Sequence, residues 1–171
     1  RAEQTEVSPK PRPAMLSTHY ADRVGATQQQ DRQILQTTTY LNDRIINSCI
    51  DRIVVNQPET KFLNSYFMEF AQSENSSSLS LEPWIKQLRT HPTYTWYIPV
   101  CHHRRHWLLL KIDPVHRTVE QLDSLGTGAS SNYTPIVCTI LEARDKVTWT
   151  STQTTTAKQR NTYDCGAHVI A

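Results

Sequence analysis

The chain has 171 residues, with 18 Lys and Arg against 16 Asp and Glu and a formal net charge of +2. That length fits one domain, or one domain with a tail, and a chain of this size buries roughly 70% of its unfolded surface. Hydrophobic residues make up 37% and charged residues 20%, which excludes wholesale disorder. The near-neutral charge argues against a binder that works by bulk attraction to phosphates, and no apolar run approaches the roughly 20 residues of a membrane span.

In chain order, Arg1 reads as a processed or cut end, and nothing after it reads as a signal peptide. Pro9, Pro11 and Pro13 stand among polar residues, so residues 1–17 are expected to form a linker or extended arm ahead of a domain over 18–171. Thr37 to Thr39 offer a helix start, after which Leu41, Ile45, Ile46, Cys49, Ile50 and Ile53 recur at helical spacing and predict one apolar stripe. A second short helix is expected from Phe62 to Phe70, with Phe62, Leu63, Tyr66, Phe67 and Phe70 inward. A surface loop is expected over Asn75 to Ser78. A third helix opens with Pro83 at its first position and is anchored by Trp84 and Leu88.

The middle of the chain changes character. Tyr94 to Val100, His106 to Ile112 and Thr118 to Leu122 are short strand-prone runs, with Pro114 and His116 in the turn between the last two. Leu125 to Ser131 reads as a loop. Ile136, Val137, Ile140 and Leu141 form a helical face, Val147 to Thr150 a further strand, and Gln159 to Ala171 a turn followed by a helix from about Asp164. Helices first, then strands, then a helix predict an α+β fold.

Cys49, Cys101, Cys138 and Cys165 are sparse and irregularly spaced, and read as thiols in a reducing compartment. A thiol nucleophile needs a lowered pKa, a base, and donors for the developing oxyanion. Asp164 is a good helix N-cap residue before Cys165, Gly166 permits close approach of another backbone, and the positive end of the helix dipole favours a thiolate there. The base must be a histidine distant in sequence. His106 opens the most apolar strand, a rigid support, and Asp123 ends the next, where an antiparallel neighbour can orient the imidazole. His168, on the same helix as Cys165, is a rival base. A turn between Gln159 and Cys165 brings the amide beside the Cys165 N–H as an oxyanion donor. Each of these residues, taken alone, more often serves packing or the surface.

Together they form a pattern. His106-Trp107, Asp123 in Leu-Asp-Ser, and Gln159-Arg160-Asn161-Thr162-Tyr163-Asp164-Cys165-Gly166 stand in the order His, Asp, Gln, Cys, with spacings of 17 from His106 to Asp123 and 6 from Gln159 to Cys165. With Leu41-Asn42-Asp43-Arg44-Ile45-Ile46, Ile98-Pro99 and Ile112-Asp113, the pattern resembles the ubiquitin-like-protein-specific (Ulp/sentrin-type) cysteine proteases over about Thr38 to Ala171. The resemblance implies a papain-like α+β fold, with N-terminal helices packed on a central mixed or antiparallel sheet and the nucleophile at a helix N-terminus. It implies cleavage after the C-terminal Gly-Gly of a ubiquitin-like modifier, SUMO-like in kind. By carry-over Cys165 is the nucleophile, His106 the general base, Asp123 its orienting partner and Gln159 the oxyanion donor. Trp107 covers the narrow channel for the glycine pair, and Tyr40 stands where the family usually has a second tryptophan.

The implied partners are the modifier and its conjugates, for a monomer that needs no nucleic acid, membrane, metal or other cofactor and is intracellular, nuclear or cytoplasmic. The family usually has bulky apolar residues where Ala167-His168 stand and often has Gly at Thr162. The chain stops six residues after Cys165, so a truncated domain with weak stability or no activity is also expected. Two other readings stay open: a modifier-binding module with a degraded channel, and an acetyltransferase of the bacterial-effector type. Cys101-His102-His103-Arg104-Arg105-His106 lacks the two separated ligand pairs of a zinc site and reads as a solvated basic loop or a contact for acidic partners. Gly126-Thr127-Gly128 lacks the third glycine and the strand-to-helix setting of a dinucleotide fingerprint.

Overall fold

The computed structural model describes residues 31, 33–34, 40–73, 78–126 and 131–171. The expected arm over 1–17, the helix start at Thr37 to Thr39, and most of the loops over 75–78 and 125–131 lie outside the described residues. The elements are α1 (Asp43–Val54), β1 (Thr60–Phe62), α2 (Tyr66–Gln72), α3 (Ser78–Thr90), β2 (Thr95–His102), β3 (His106–Asp113), β4 (Thr118–Asp123), α4 (Thr134–Asp145), β5 (Thr150–Thr155) and α5 (Cys165–Ile170). The strands form one five-stranded sheet in the order β1-β2-β3-β4-β5. The central pairs β2–β3 and β3–β4 are antiparallel, and the outer pairs β1–β2 and β4–β5 are parallel. The sheet is mixed and the fold α+β, as expected.

Strand alternation builds two cores from one sheet. Leu108, Leu110 and Ile112 of β3 join Trp96, Ile98 and Val100 of β2 in a cluster with Phe67, Leu88, Val137 and Leu141, contributed by α2, α3 and α4. The opposite side of β3 presents Trp107 and Leu109 to α1 and α5, in a second cluster with Leu41, Ile45, Ile46, Cys49, Ile50, Cys165 and Ile170. The predicted α1 stripe is this second core: Leu41, Ile45, Ile46, Cys49 and Ile50 are all buried. The cap of α1 is Asn42, whose Oδ1 accepts from the Ile45 N–H at 2.9 Å, a bond that satisfies one of the helix's orphan donors.

Four expectations need correction. Thr60 to Phe62 is a strand and not a helix start; three residues paired with Thr95 to Tyr97 are too few to show a period of two. The helix that follows runs only over Tyr66–Gln72 and buries Phe67 and Met68, while Tyr66 and Phe70 are exposed. Pro83 lies inside α3, which already begins at Ser78; its fixed φ fits a helix, and it forgoes one ladder bond. The last strand is Thr150–Thr155 and not Val147–Thr150. Val147 and Trp149 do pack in the core, but they follow the left-handed cap at Lys146 (φ 60°) and precede the strand. β5 itself is a polar edge, exposed over Thr150 to Gln153.

Candidate active site

β3 starts at His106 and β4 ends at Asp123. The register pairs Leu109 with Leu122 and Leu110 with Gln121, which leaves Asp123 diagonal to His106, within reach of a long side chain. The His106 Nε2–H donates to Asp123 Oδ1 at 2.7 Å, and both residues are buried. The same carboxylate oxygen accepts from the Leu125 N–H at 2.9 Å. With Nε2 directed at Asp123, Nδ1 is the nitrogen left for a second partner, and the nearby Cys165 side chain also favours the protonated imidazole. Burial works against charge on His106, but Asp123 and Cys165 outweigh it and push its pKa up to about 9.

Cys165 is the first residue of α5 and is fully buried. Its sulfur lies 4.0 Å from the carbonyl oxygen of Arg105, the residue before His106. Gly166 faces the Leu41 side chain and not a second backbone: a Cβ there would meet Leu41 Cβ at 3.0 Å. Asp164 holds the cap position, but its side chain makes no capping bond to the helix. Its carboxylate accepts from Asn161 Nδ2 at 2.6 Å instead. Asn161 Oδ1 in turn accepts from the N–H groups of Tyr163 and Asp164, at 3.1 and 2.9 Å, a side-chain turn that sets the approach to the nucleophile.

The Gln159 backbone N–H donates to Ser124 O at 2.9 Å, and Ser124 Oγ–H donates to Gln159 Oε1 at 2.5 Å. Gln159 Nε2 donates to Asn161 O at 2.5 Å, which uses one of its two hydrogens. This glutamine is therefore tied both to the residue after Asp123 and to the loop before Cys165. Trp107 is buried, and its Nε1–H donates to the Leu41 carbonyl at 2.7 Å. Tyr40, one residue upstream of Leu41, is exposed. The rival base, His168, lines a cavity of about 210 Å³ together with Trp107, Leu122 and Ser124, and no bond joins it to the sulfur.

The fold thus bonds His106 to Asp123 and sets Cys165 beside the same imidazole, with Gln159 on the adjoining loop. Reasoning from the sequence missed the Arg105 and Leu41 carbonyls, Ser124 and Asn161. Backbone carbonyls leave no mark in a sequence; Ser124 and Asn161 were open to discovery only as polar neighbours of Asp123 and Asp164.

The sequence profile of the Ulp1 protease family, C-terminal catalytic domain, matches residues 39–171. The chain belongs to that family. It is by that membership a cysteine peptidase, a hydrolase. No curated protein sequence matches it. Among solved structures it is similar to the yeast Ulp1 protease domain in complex with Smt3, the yeast ortholog of SUMO, at 21% identity and a TM-score of 0.70, over 94% of this chain and 82% of that one. It is also similar to the Ulp1-like SUMO protease catalytic domain of Chaetomium thermophilum, at 22% identity and a TM-score of 0.61, over 94% of this chain and 77% of that one. A third neighbour is the Xanthomonas campestris effector XopD bound to ubiquitin, at 18% identity and a TM-score of 0.56, over 78% of this chain and 72% of that one. No helix among the described residues is long and apolar enough to cross a membrane.

Proposed function

We propose that this Ulp1-family domain is a thiol peptidase and isopeptidase that cleaves after the C-terminal Gly-Gly of a SUMO-like modifier, in maturation of its precursor or in its release from conjugates. The observation that carries this reading is the buried line Asp123–His106–Cys165, with the carboxylate 2.7 Å from Nε2. The proton shared by the Cys165–His106 pair rests on the imidazole as the sulfur attacks the carbonyl carbon of the last glycine. The Cys165 N–H and the remaining Gln159 amide hydrogen hold the oxyanion. His106 then gives its proton to the leaving amine, the C–N bond breaks, and water, deprotonated by the same imidazole, releases the thioester as a carboxylate. Trp107 and Tyr40 flank the loop beside Cys165 and select against side chains on the last two residues by exclusion. The partners are the modifier and its conjugates, met by a monomer without nucleic acid or membrane, inside the cell, in nucleus or cytoplasm. The presence of Cys165, His106, Asp123 and Gln159 together supports turnover over a module that only binds.

The test is hydrolysis of a panel of modifiers carrying a C-terminal fluorogenic aminocoumarin amide. SUMO-type substrates should be turned over, with no detectable rate in Cys165→Ser and a strongly reduced one in His106→Ala. An unchanged rate in Cys165→Ser, or no turnover of any modifier by the folded protein, rejects the proposal.

A further inference from the structure

The hairpin that joins β2 to β3 is an exposed cationic tip set directly against the nucleophile. His103, Arg104 and Arg105 are exposed, yet the Arg105 carbonyl oxygen lies 4.0 Å from Cys165 Sγ. The tip is fixed in shape. The Arg105 N–H donates to His102 O at 3.1 Å, closing a four-residue turn. His103 and Arg104, the two central residues, have φ of 48° and 58°, the left-handed region that a twisted two-strand hairpin demands and that side chains other than Gly, Asn and Asp enter at a cost. His102 is held from below, its Nδ1 2.6 Å from Tyr133 OH. Among the described residues neither arginine has a carboxylate within ion-pair distance. A left-handed turn whose backbone borders a buried thiol, and which carries two exposed arginines without a carboxylate among the described residues, calls for a partner.

The chemistry of the site says on which side that partner lies. An imidazole that returns its proton to the leaving amine must face that amine. Residues continuous with His106 therefore border the leaving group, and Gln159 borders the oxyanion. Arg104 and Arg105 immediately precede His106. Building on the function proposed above, we infer that the His103–Arg105 tip is a specificity element for the leaving-group side: it takes acidic side chains flanking the lysine or peptide nitrogen that the modifier is cut from. The partner is an acidic segment of the modified protein, not the modifier itself.

The experiment compares three substrates of one SUMO-type modifier: an isopeptide to a lysine flanked by acidic residues, an isopeptide to a lysine flanked by basic residues, and the aminocoumarin amide, which has no flanking residues. At low salt the wild-type chain should cleave the acidic isopeptide about threefold or more faster in kcat/KM than the basic one, as expected for exposed ion pairs, and the ratio should fall towards one as salt is raised. Arg104→Asp keeps the turn, because Asp tolerates a positive φ. It should bring the ratio to one or below while hydrolysis of the aminocoumarin amide stays as in the wild type. Arg104→Asn should lie between the two. A wild-type ratio of one, or an acidic preference that survives Arg104→Asp, overturns the inference. So does a loss in Arg104→Asp that is equal on all three substrates, which would place the tip against the modifier. Turnover of the aminocoumarin amide with no flanking preference refutes the tip alone, whereas no turnover of any substrate refutes the protease reading and the tip with it.

Discussion

A buried imidazole resists protonation, and His106 keeps its proton to about pH 9 only because Asp123 and Cys165 hold it. This has a consequence for stability. Its pKa in the fold lies above the ordinary value of about 6.5, so between those two values the folded chain binds more protons than the unfolded one, and stability falls as pH rises. The stabilisation, on the order of 3 kcal/mol at most, is complete below pH ~6.5 and gone above ~9. Urea unfolding across that window should show the decline, and Asp123→Asn should flatten it; a slope unchanged in Asp123→Asn would detach His106 from the effect. Gln159→Ala tests the oxyanion donor, because it removes an N–H whose bond matters only once charge develops. We expect a loss of about 10²–10³ in kcat with little change in KM, measured by initial rates on the aminocoumarin amide. An unchanged kcat removes Gln159 from the chemistry. At this scale the sequence foretold the pairing of His106 with Asp123 and the place of Cys165 at a helix start. It misled where geometry decides: Asp164 has a capping side chain but spends it on Asn161.

Among the elements, α5 shares a core with α1 and meets Leu41, the residue before the α1 cap, in one tight contact. Gly166 faces Leu41, and Leu41 also supplies the carbonyl that anchors the Trp107 indole. Gly166→Ala forces Leu41 to give way and should cost about 1–3 kcal/mol as overpacking. The denaturation midpoint should drop, and Leu41→Ala in the same chain should recover part of the loss, because the two changes share one space. A Gly166→Ala chain as stable as the parent would show that Leu41 moves freely. A second clamp lies at the same loop: buried Asp31 accepts from Asn42 at 3.1 Å and pairs with Arg44 at 2.6 Å. The elements that the sequence foretold are those with a strong period. α1 has its stripe, and β2, β3 and β4 have apolar runs bounded by turns. The misread ones lack such a signal: β1 is too short, β5 is a polar edge, and α3 runs through a proline that reads as a start.

At the scale of the whole molecule, a mixed sheet divides two cores, and the proposed site lies at the strand ends beside the second of them. His106 and Asp123 come from the ends of adjacent strands, and Cys165 from a helix packed on the α1 side of the sheet. Their chain order and spacing were legible as the pattern of the family whose profile matches residues 39–171. The burial of Cys165 was not legible, nor was the way Trp107 lies within the core, since both follow from packing between distant segments. Leu41 packs against Gly166 and the Arg105 carbonyl lies 4.0 Å from the sulfur, so the loop before α1 and the hairpin tip both border Cys165. The most direct test is a SUMO-type modifier ending in a Gly-Gly electrophile, such as a vinyl sulfone, followed by peptide mapping of the adduct. One modifier should be found per chain, attached to Cys165, and none in Cys165→Ser. An adduct on Cys101 or another thiol, or one that persists in Cys165→Ser, would contradict the account.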